Sequence, residues 1–297
     1  MKPSAILTAD WHLRDTAPIS RCDNYWEDMW ESVDFLVDLS IKHKCPILDA
    51  GDLLNKWKAS SALLYTFIKK MPKGVLITIP GNHDLPNHNL KEFWKSGLGV
   101  LGLTGITVLI DKWELFPNFA VYGSPYGSDI YPEIDISKKS KVLLSHEIVW
   151  DDKPLYPGLT NKTQALKVME KYPEFDLIVT GHNHQSFTVE HEGRLLVNCG
   201  SLKRMYADQK DFKPRVWLWY EETNTVEPVY LPIKEDAFNI EHLEKNKKNK
   251  ERKDDLTEKL SDCEDVLPQK YEQNVKEYIE TNRIRSKTKS LILECLE

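Results

Sequence analysis

Val75-Leu76-Ile77-Thr78-Ile79-Pro80-Gly81-Asn82-His83-Asp84 joins an apolar run to a glycine turn and then to side chains that bind metals or move protons. Four other stretches share this layout. Ala5-Ile6-Leu7-Thr8-Ala9 enters Asp10-Trp11-His12, and Pro46-Ile47-Leu48 leads to Gly51-Asp52. Val142-Leu143-Leu144 leads to His146, and Leu177-Ile178-Val179 to Gly181-His182-Asn183-His184. Runs this short, without polar alternation, suit strands buried on both faces, as in an α/β sheet. Such sheets bind ligands in the loops beyond the carboxyl ends of their strands. If the five runs are neighbouring strands, their oxygen and imidazole donors converge on one edge.

The segments between these runs complete the pattern. Trp26, Trp30, Val33, Val37 and Ile41 recur at helical spacing and predict an amphipathic helix, opened by Asn24 and Glu27 in a capping-box arrangement. Core packing accounts for its tryptophans better than base stacking does. Helices are also expected over 60–70 and 163–172, so strands and helices alternate as in βα units. Closely spaced β runs follow at 107–110, 114–116 and 119–122. A hairpin around Gly193 joins 187–190 to 194–197, and 216–220 and 226–231 form another pair. A sandwich of two mixed sheets with helices outside accommodates these elements. From about Pro232 the composition changes: 241–262 is dense in Lys and Glu, with Lys245, Lys247, Lys248, Lys250, Arg252 and Lys253 forming a basic run. Tyr271, Val275, Tyr278 and Ile279 then recur at helical spacing. The expected division is a catalytic domain over 1–232 and a charged helical extension over 233–297.

The bulk composition narrows the class. With 297 residues, 41% of them hydrophobic, the chain can bury one large core. Its five cysteines are scattered without a CxxC pair, which argues against a disulfide framework or thiolate zinc site and fits a reducing cytosol. There is no signal-peptide layout, and no apolar stretch nears the roughly 20 residues of a membrane span. A cytoplasmic protein is expected. The net charge of −6 is a mild argument against a broad nucleic-acid-binding face.

Five of the nine histidines lie in the post-strand positions, with Asp10, Asp52 and Asn82. The other four, His43, His88, His191 and His242, read as ordinary surface or structural residues. Carboxylate, amide and imidazole donors without thiolates suit Mn²⁺, Fe²⁺ or Zn²⁺ better than an all-oxygen Mg²⁺ or Ca²⁺ site. Asp10, His12, Asp52, Asn82, His146, His182 and His184 are too many for one tetrahedral ion and fit two ions sharing a carboxylate. A hydroxide bridging them is the expected nucleophile, because metal binding brings the pKa of water to about 7. Gly51, Gly81 and Gly181 each precede a ligand, where close backbone approach is needed.

Asp10-x-His12, Gly51-Asp52, Gly81-Asn82-His83-Asp84, His146 and Gly181-His182-Asn183-His184, in this order, resemble the calcineurin-like metallophosphoesterase superfamily over roughly residues 4–204. The resemblance implies a four-layer αββα sandwich. It places Asp10, His12, Asp52 and His184 on one metal and Asp52, Asn82, His146 and His182 on the other, with Asp52 as the bridge. It also makes His83 the non-ligand histidine that serves the leaving group, with Asp84 orienting it.

Within that superfamily the chain most resembles the SbcD-like DNA-repair nucleases, including shorter phage-encoded relatives. The resemblance rests on Asp10-Trp11-His12-Leu13, Gly51-Asp52-Leu53-Leu54, and Asn198-Cys199-Gly200-Ser201-Leu202 with Arg204. It implies a metal-dependent exonuclease or endonuclease, with Mn²⁺ foremost and Fe²⁺, Zn²⁺ or Mg²⁺ as alternatives. DNA, a second copy of the chain and an SbcC-like ATPase are the implied partners. Arg14, Arg21 and Arg204 are candidate phosphate contacts. Two positions depart from the pattern: Arg14 replaces the usual glycine, and Asn55 replaces a histidine that assists exonuclease action. A phosphodiesterase or phosphatase for nucleotides or other small phosphoesters is the alternative, and a non-catalytic scaffold ranks third.

Overall fold

Ile6, Ile47 and Leu76 bury against helices while their chain neighbours Leu7, Leu48 and Ile77 bury against a second sheet, which is why these runs lack polar alternation. The computed structural model describes residues 1–130, 139–155, 159, 163–234, 237–238, 279 and 288–289. In the first sheet β1 (Ala5–Thr8), β2 (Ile47–Asp49), β3 (Leu76–Thr78) and β4 (Thr107–Val108) run parallel. β11 (Arg215–Tyr220) and β12 (Thr225–Tyr230) extend it antiparallel, in the order β12-β11-β1-β2-β3-β4. The second sheet is built from β5 (Lys112–Leu115), β6 (Phe119–Ser124), β7 (Ser140–Ser145), β8 (Leu177–Thr180), β9 (Phe187–His191) and β10 (Arg194–Asn198). Its order is β5-β6-β7-β8-β10-β9. Here β6, β7, β8 and β10 are parallel, and β5 and β9 are antiparallel edges.

Three apolar layers hold the sandwich. Between the sheets, Leu7, Leu48 and Ile77 pack with Val121, Val142, Leu144 and Val179. Outside the first sheet lie α1 (Tyr25–His43), α2 (Ser61–Lys70) and α3 (Gly97–Gly102), through Met29, Val33, Leu36, Leu63, Phe67 and Leu98. Outside the second lies α4 (Ala165–Lys171), with Val168 and Met169 against Leu143, Ile178 and Leu196. The architecture is the expected αββα sandwich of two mixed sheets. Asn24 caps α1 by accepting from the Glu27 N–H, and Ser60 caps α2 by accepting from Leu63. No helix among the described residues is long and apolar enough to cross a membrane.

Two expectations change. The five ligand-bearing runs are not neighbours in one sheet: β1, β2 and β3 belong to the first, β7 and β8 to the second. Parallel pairing orders strands within a sheet, but face packing brings the two sets of loops together. On α1 the buried stripe runs through Tyr25, Met29, Ser32 and Leu36, leaving Trp26 37% and Ile41 60% exposed. Trp26 instead rests edge-on against Trp30 at 5.5 Å.

Internal contacts divide the chain into units Met1–Asn239 and Ile240–Glu297. The basic run over 245–253 and the helical pattern of Tyr271, Val275 and Tyr278 lie outside the described residues, which include Ile279 from that stretch.

Candidate metal centre

Beyond β1 and β2 the two loops remain zipped together. The N–H groups of Asp10, His12 and Leu13 donate to the carbonyls of Gly51, Asp52 and Leu53, each at 2.9 Å, and Asn55 returns a bond to Leu13. This sets Asp10 and His12 beside Asp52. Asp10, His12, Asp52 and His182 all adopt positive φ, from 46° to 70°. Asp and His tolerate this left-handed region better than most residues, at a cost on the order of 1 kcal/mol, and the geometry turns their side chains back over the strand ends. Gly81 is required by proximity, because a Cβ there would lie 2.2 Å from Asp52 Oδ1. Gly51 combines φ +95° with a Cβ position 2.7 Å from His146 Nδ1.

The second sheet's loops dock onto this platform. His182 N–H donates to Asp10 Oδ1 at 3.1 Å, and His146 Nδ1–H donates to the Ala50 carbonyl at 2.7 Å. The latter bond fixes the tautomer and turns His146 Nε2 toward Asn82 Oδ1, 3.1 Å away, and Asp52 Oδ2, 3.4 Å away. His182 Nδ1 lies 2.8 Å from the same Asn82 oxygen. His12 Nε2 and His184 Nε2 face each other at 3.1 Å, 3.8 Å and 4.0 Å from Asp10 Oδ1. His12 Nε2 is also 3.8 Å from Asp52 Oδ2.

The donors thus form three overlapping groups: Asp10, His12 and His184; Asp52, His146 and His182; and His12, Asp52 and His83. Asp10 Oδ2 and His12 Nδ1 are buried without a hydrogen-bond partner, an arrangement that native interiors rarely leave unexplained. Donor separations of this size suit ions with bonds of about 2.0–2.2 Å, and the N/O donor set suits first-row divalent metals. The residues therefore fit a divalent-metal centre.

The electrostatics of the bare cluster are strongly polarised. Burial, with the nearby Asp52 charge, pushes Asp10 up to about 7. Burial also brings His12 down to about 3 and His182 down to about 4. For His146 burial acts downward, yet Asp52 and Asp10 prevail and hold the imidazolium up to about 10. Burial would raise Asp52, but His146 beside it holds the carboxylate below its usual range. Without a metal, Asp52 Oδ2 and His146 Nε2, 3.4 Å apart, favour each other's charged forms.

A comparison with known families matches residues 4–186 to the calcineurin-like phosphoesterases. The chain belongs to that family. With the family comes its chemistry, metal-dependent phosphoester hydrolysis. Among curated proteins, a probable cyclic nucleotide phosphodiesterase of Ruthia magnifica subsp. Calyptogena magnifica is 26% identical over 178 residues, 55% of this chain and 72% of that protein. Its counterpart in Vesicomyosocius okutanii subsp. Calyptogena okutanii (strain HA) is 25% identical over 183 residues, with the same coverages of 55% and 72%. Among solved structures, a novel archaeal phosphodiesterase aligns with TM-score 0.43 at 13% identity, covering 78% of this chain and 100% of its own. A Thermus thermophilus protein aligns with TM-score 0.49 at 12% identity, covering 77% and 99%.

Not every expected residue of this calcineurin-like site is where the sequence reading put it. His83 is exposed beside the cluster, its ring 4.8 Å from that of His12. Asp84 does not orient it. The Asp84 carboxylate is buried and accepts from the N–H groups of Leu53, Leu54 and Gly81, holding the two ligand loops together. The group that orients His83 is the Asn55 carbonyl, which accepts from Nδ1–H at 2.8 Å. A backbone acceptor leaves no residue-type signal, so sequence reasoning missed it. His88, set aside as ordinary, donates from Nδ1 to the Asn82 carbonyl at 3.1 Å, and its place in the same loop was the available clue.

Arg21 and Arg204 are also committed elsewhere. Arg21 donates to Asp23, to Asp28 and to the Arg204 carbonyl. Arg204 donates to the carbonyls of Lys210 and Lys234. Both are buried, so neither presents a fork to a substrate phosphate. Arg14 is half-buried and makes no ion pair among the described residues.

Proposed function

We propose that the chain is a dinuclear-metal phosphodiesterase that cleaves DNA. Asp10, His12, Asp52 and His184 would hold one ion and Asp52, Asn82, His146 and His182 the other, Mn²⁺ being the first candidate for both. Such ions, when bound, polarise phosphoryl oxygens and make water nucleophilic near neutral pH. The observation that carries the reading is His83: an exposed imidazole, tied through Nδ1–H to Asn55, with a ring nitrogen within 4.8 Å of donor atoms of His12 and Asp52. That tie reserves Nε2 for the substrate, where it hands a proton to the departing alkoxide or holds a hydrogen bond to it. Asp84 keeps the loops of Asp52 and Gly81 in register, and Ala50 keeps His146 Nε2 directed inward.

A second reading, a phosphodiesterase for small nucleotides, has its own support. The curated relatives carry that description. A cavity of about 420 Å³ lined by Tyr126, His146 and His182 adjoins the cluster, a size suited to a small ligand. The deciding assay uses purified protein with Mn²⁺ or Mg²⁺ on single- and double-stranded DNA, a cyclic nucleotide, bis(p-nitrophenyl) phosphate and p-nitrophenyl phosphate. DNA hydrolysis is expected. Turnover of the cyclic nucleotide alone moves the assignment to the second reading, and turnover of the monoester alone overturns both.

A further inference from the structure

The loops that carry His12 and Asp52 continue past the metal donors into a separate cavity of about 240 Å³. Leu13, Arg14, Asn55, Lys56 and Lys58 line it, together with Asp15. Asn55 belongs to both places: its side of the loop walls this cavity, while its carbonyl holds the His83 ring. Arg14 is only two residues beyond His12, at most roughly 7 Å of extended backbone. The cavity is therefore adjacent to the leaving-group side of the centre.

Its three cationic residues outnumber its one carboxylate, Asp15. Arg14 Nε is buried without a hydrogen-bond partner. Lys56 and Lys58 are exposed, and among the described residues neither they nor Arg14 form an ion pair. Asp15, the carboxylate in the lining, is engaged with Ser60, whose N–H and hydroxyl both donate to it at the start of α2. Three cationic residues thus line one cavity with a single carboxylate, in a chain whose net charge is −6. Guanidinium and ammonium groups converging in this way match phosphate oxygens. Between the two lysines in sequence, though outside the lining of the cavity, is Trp57, 36% exposed, with its carbonyl pinned by the Gly97 N–H at 2.7 Å. Cations alternating with an aromatic residue suit a strand whose backbone is charged and whose bases stack.

We infer that Arg14, Lys56 and Lys58 form a second phosphate subsite, which takes the backbone phosphate neighbouring the scissile one in a nucleic-acid strand. This inference rests on the phosphodiesterase reading and deepens it. A cyclic mononucleotide, with its single phosphate at the metal centre, leaves the subsite empty. A strand fills both, so the preferred substrate carries at least two phosphates.

The test uses the full chain with Mn²⁺ and compares wild type, Arg14→Ala and Lys56→Ala/Lys58→Ala. Oligothymidylate, thymidine dinucleotides with and without a terminal phosphate, and bis(p-nitrophenyl) phosphate are the substrates. The ratio of kcat/KM for oligothymidylate to that for bis(p-nitrophenyl) phosphate is expected to fall by roughly tenfold or more in the double variant, through KM. The terminal phosphate should improve KM in wild type and lose that advantage in the variants. Binding of labelled oligothymidylate, followed by anisotropy, should show a salt slope reduced by about one per cation removed. An unchanged ratio and an unchanged salt slope overturn the subsite. A wild type that binds oligothymidylate through these cations but cleaves no diester supports the subsite and overturns the proposed function instead. A ratio that responds only with the dinucleotides, and not with oligothymidylate, overturns the strand and assigns the subsite to small phosphorylated ligands. Arg14→Gln provides the same readout if the alanine variant does not fold.

Discussion

Asp52 and Asp28 are both buried aspartates beside cationic side chains, yet their surroundings differ in one respect. Asp28, on α1, meets Arg21 at 2.7 Å and the ammonium of Lys203, which also donates to the Asp28 carbonyl and to Ser32. Arg21 closes the group with Asp23 and is flanked by the rings of Tyr25 and Phe238. Among the described residues, no buried side-chain nitrogen or oxygen of the charged groups Arg21, Asp23, Asp28, Lys203 and Arg204 lacks a partner, although the neighbouring Tyr25 hydroxyl does. Around Asp52, by contrast, Asp10 Oδ2 and His12 Nδ1 are orphaned, and nitrogens of different imidazoles point at one another. A buried polar cluster that satisfies itself is architecture; one that leaves donors converging on a common space is built for something else to enter.

Mutations at the two clusters should separate these roles. The largest effect is expected for Asp52→Ala, which removes the carboxylate proposed to serve both ions. Metal content and turnover should fall by more than the roughly 10–100-fold seen when a residue merely supporting a ligand is lost. Retention of both ions by this variant breaks the comparison. His83→Ala should keep both ions and lose about 10²–10⁴-fold in kcat; an unchanged rate removes His83 from catalysis. Asp28→Ala leaves Lys203 buried without its carboxylate and Arg21 with Asp23 alone, and should destabilise the fold by about 3 kcal/mol, measured by denaturant unfolding. The metal content of the molecules that remain folded should not change.

The pH response sharpens the contrast. Burial alone would raise Asp23, but its hydrogen bonds and charge interaction with Arg21 hold it below the ordinary carboxylate range. Its stabilisation is therefore full above about pH 3.9 and is lost as pH falls through the depressed value. Acid unfolding below about pH 4 should show this limb, Arg21→Gln should flatten it, and a chelator should not alter it. Metal binding should weaken in acid for a different reason, because protons compete for the imidazole and carboxylate donors. The smallest effect is expected for Ser60→Ala, about 1 kcal/mol from the lost cap of α2. A greater loss would mean that the Asp15 contact also steadies the Arg14 loop.

Much of the fold was legible because burial on two faces writes itself into composition. Runs such as Leu177-Ile178-Val179 are apolar throughout since one residue faces α4 and its neighbours face the other sheet. The cap at Asn24 and the hairpin at Gly193, with φ +75°, were also readable, as both depend on local geometry. The Asn55 tie to His83 was not, because a carbonyl is common to every residue. Nor was the burial of Arg21 and Arg204, since an arginine's partners are set by distant chain segments.

The sequence by itself determined the order of the runs and donors along the chain, the donor chemistry and a mixed β sandwich with outer helices, because each follows from residue type and short-range spacing; the αββα class came with the family resemblance. Only the tertiary structure decided that the donors come from two stacked sheets rather than one. It alone showed that Asp84 braces loops instead of orienting His83, and that Arg14, unlike Arg21, makes no ion pair among the described residues. Those outcomes depend on which groups satisfy one another across the fold, and hydrogen bonding between remote segments leaves no periodicity in the chain.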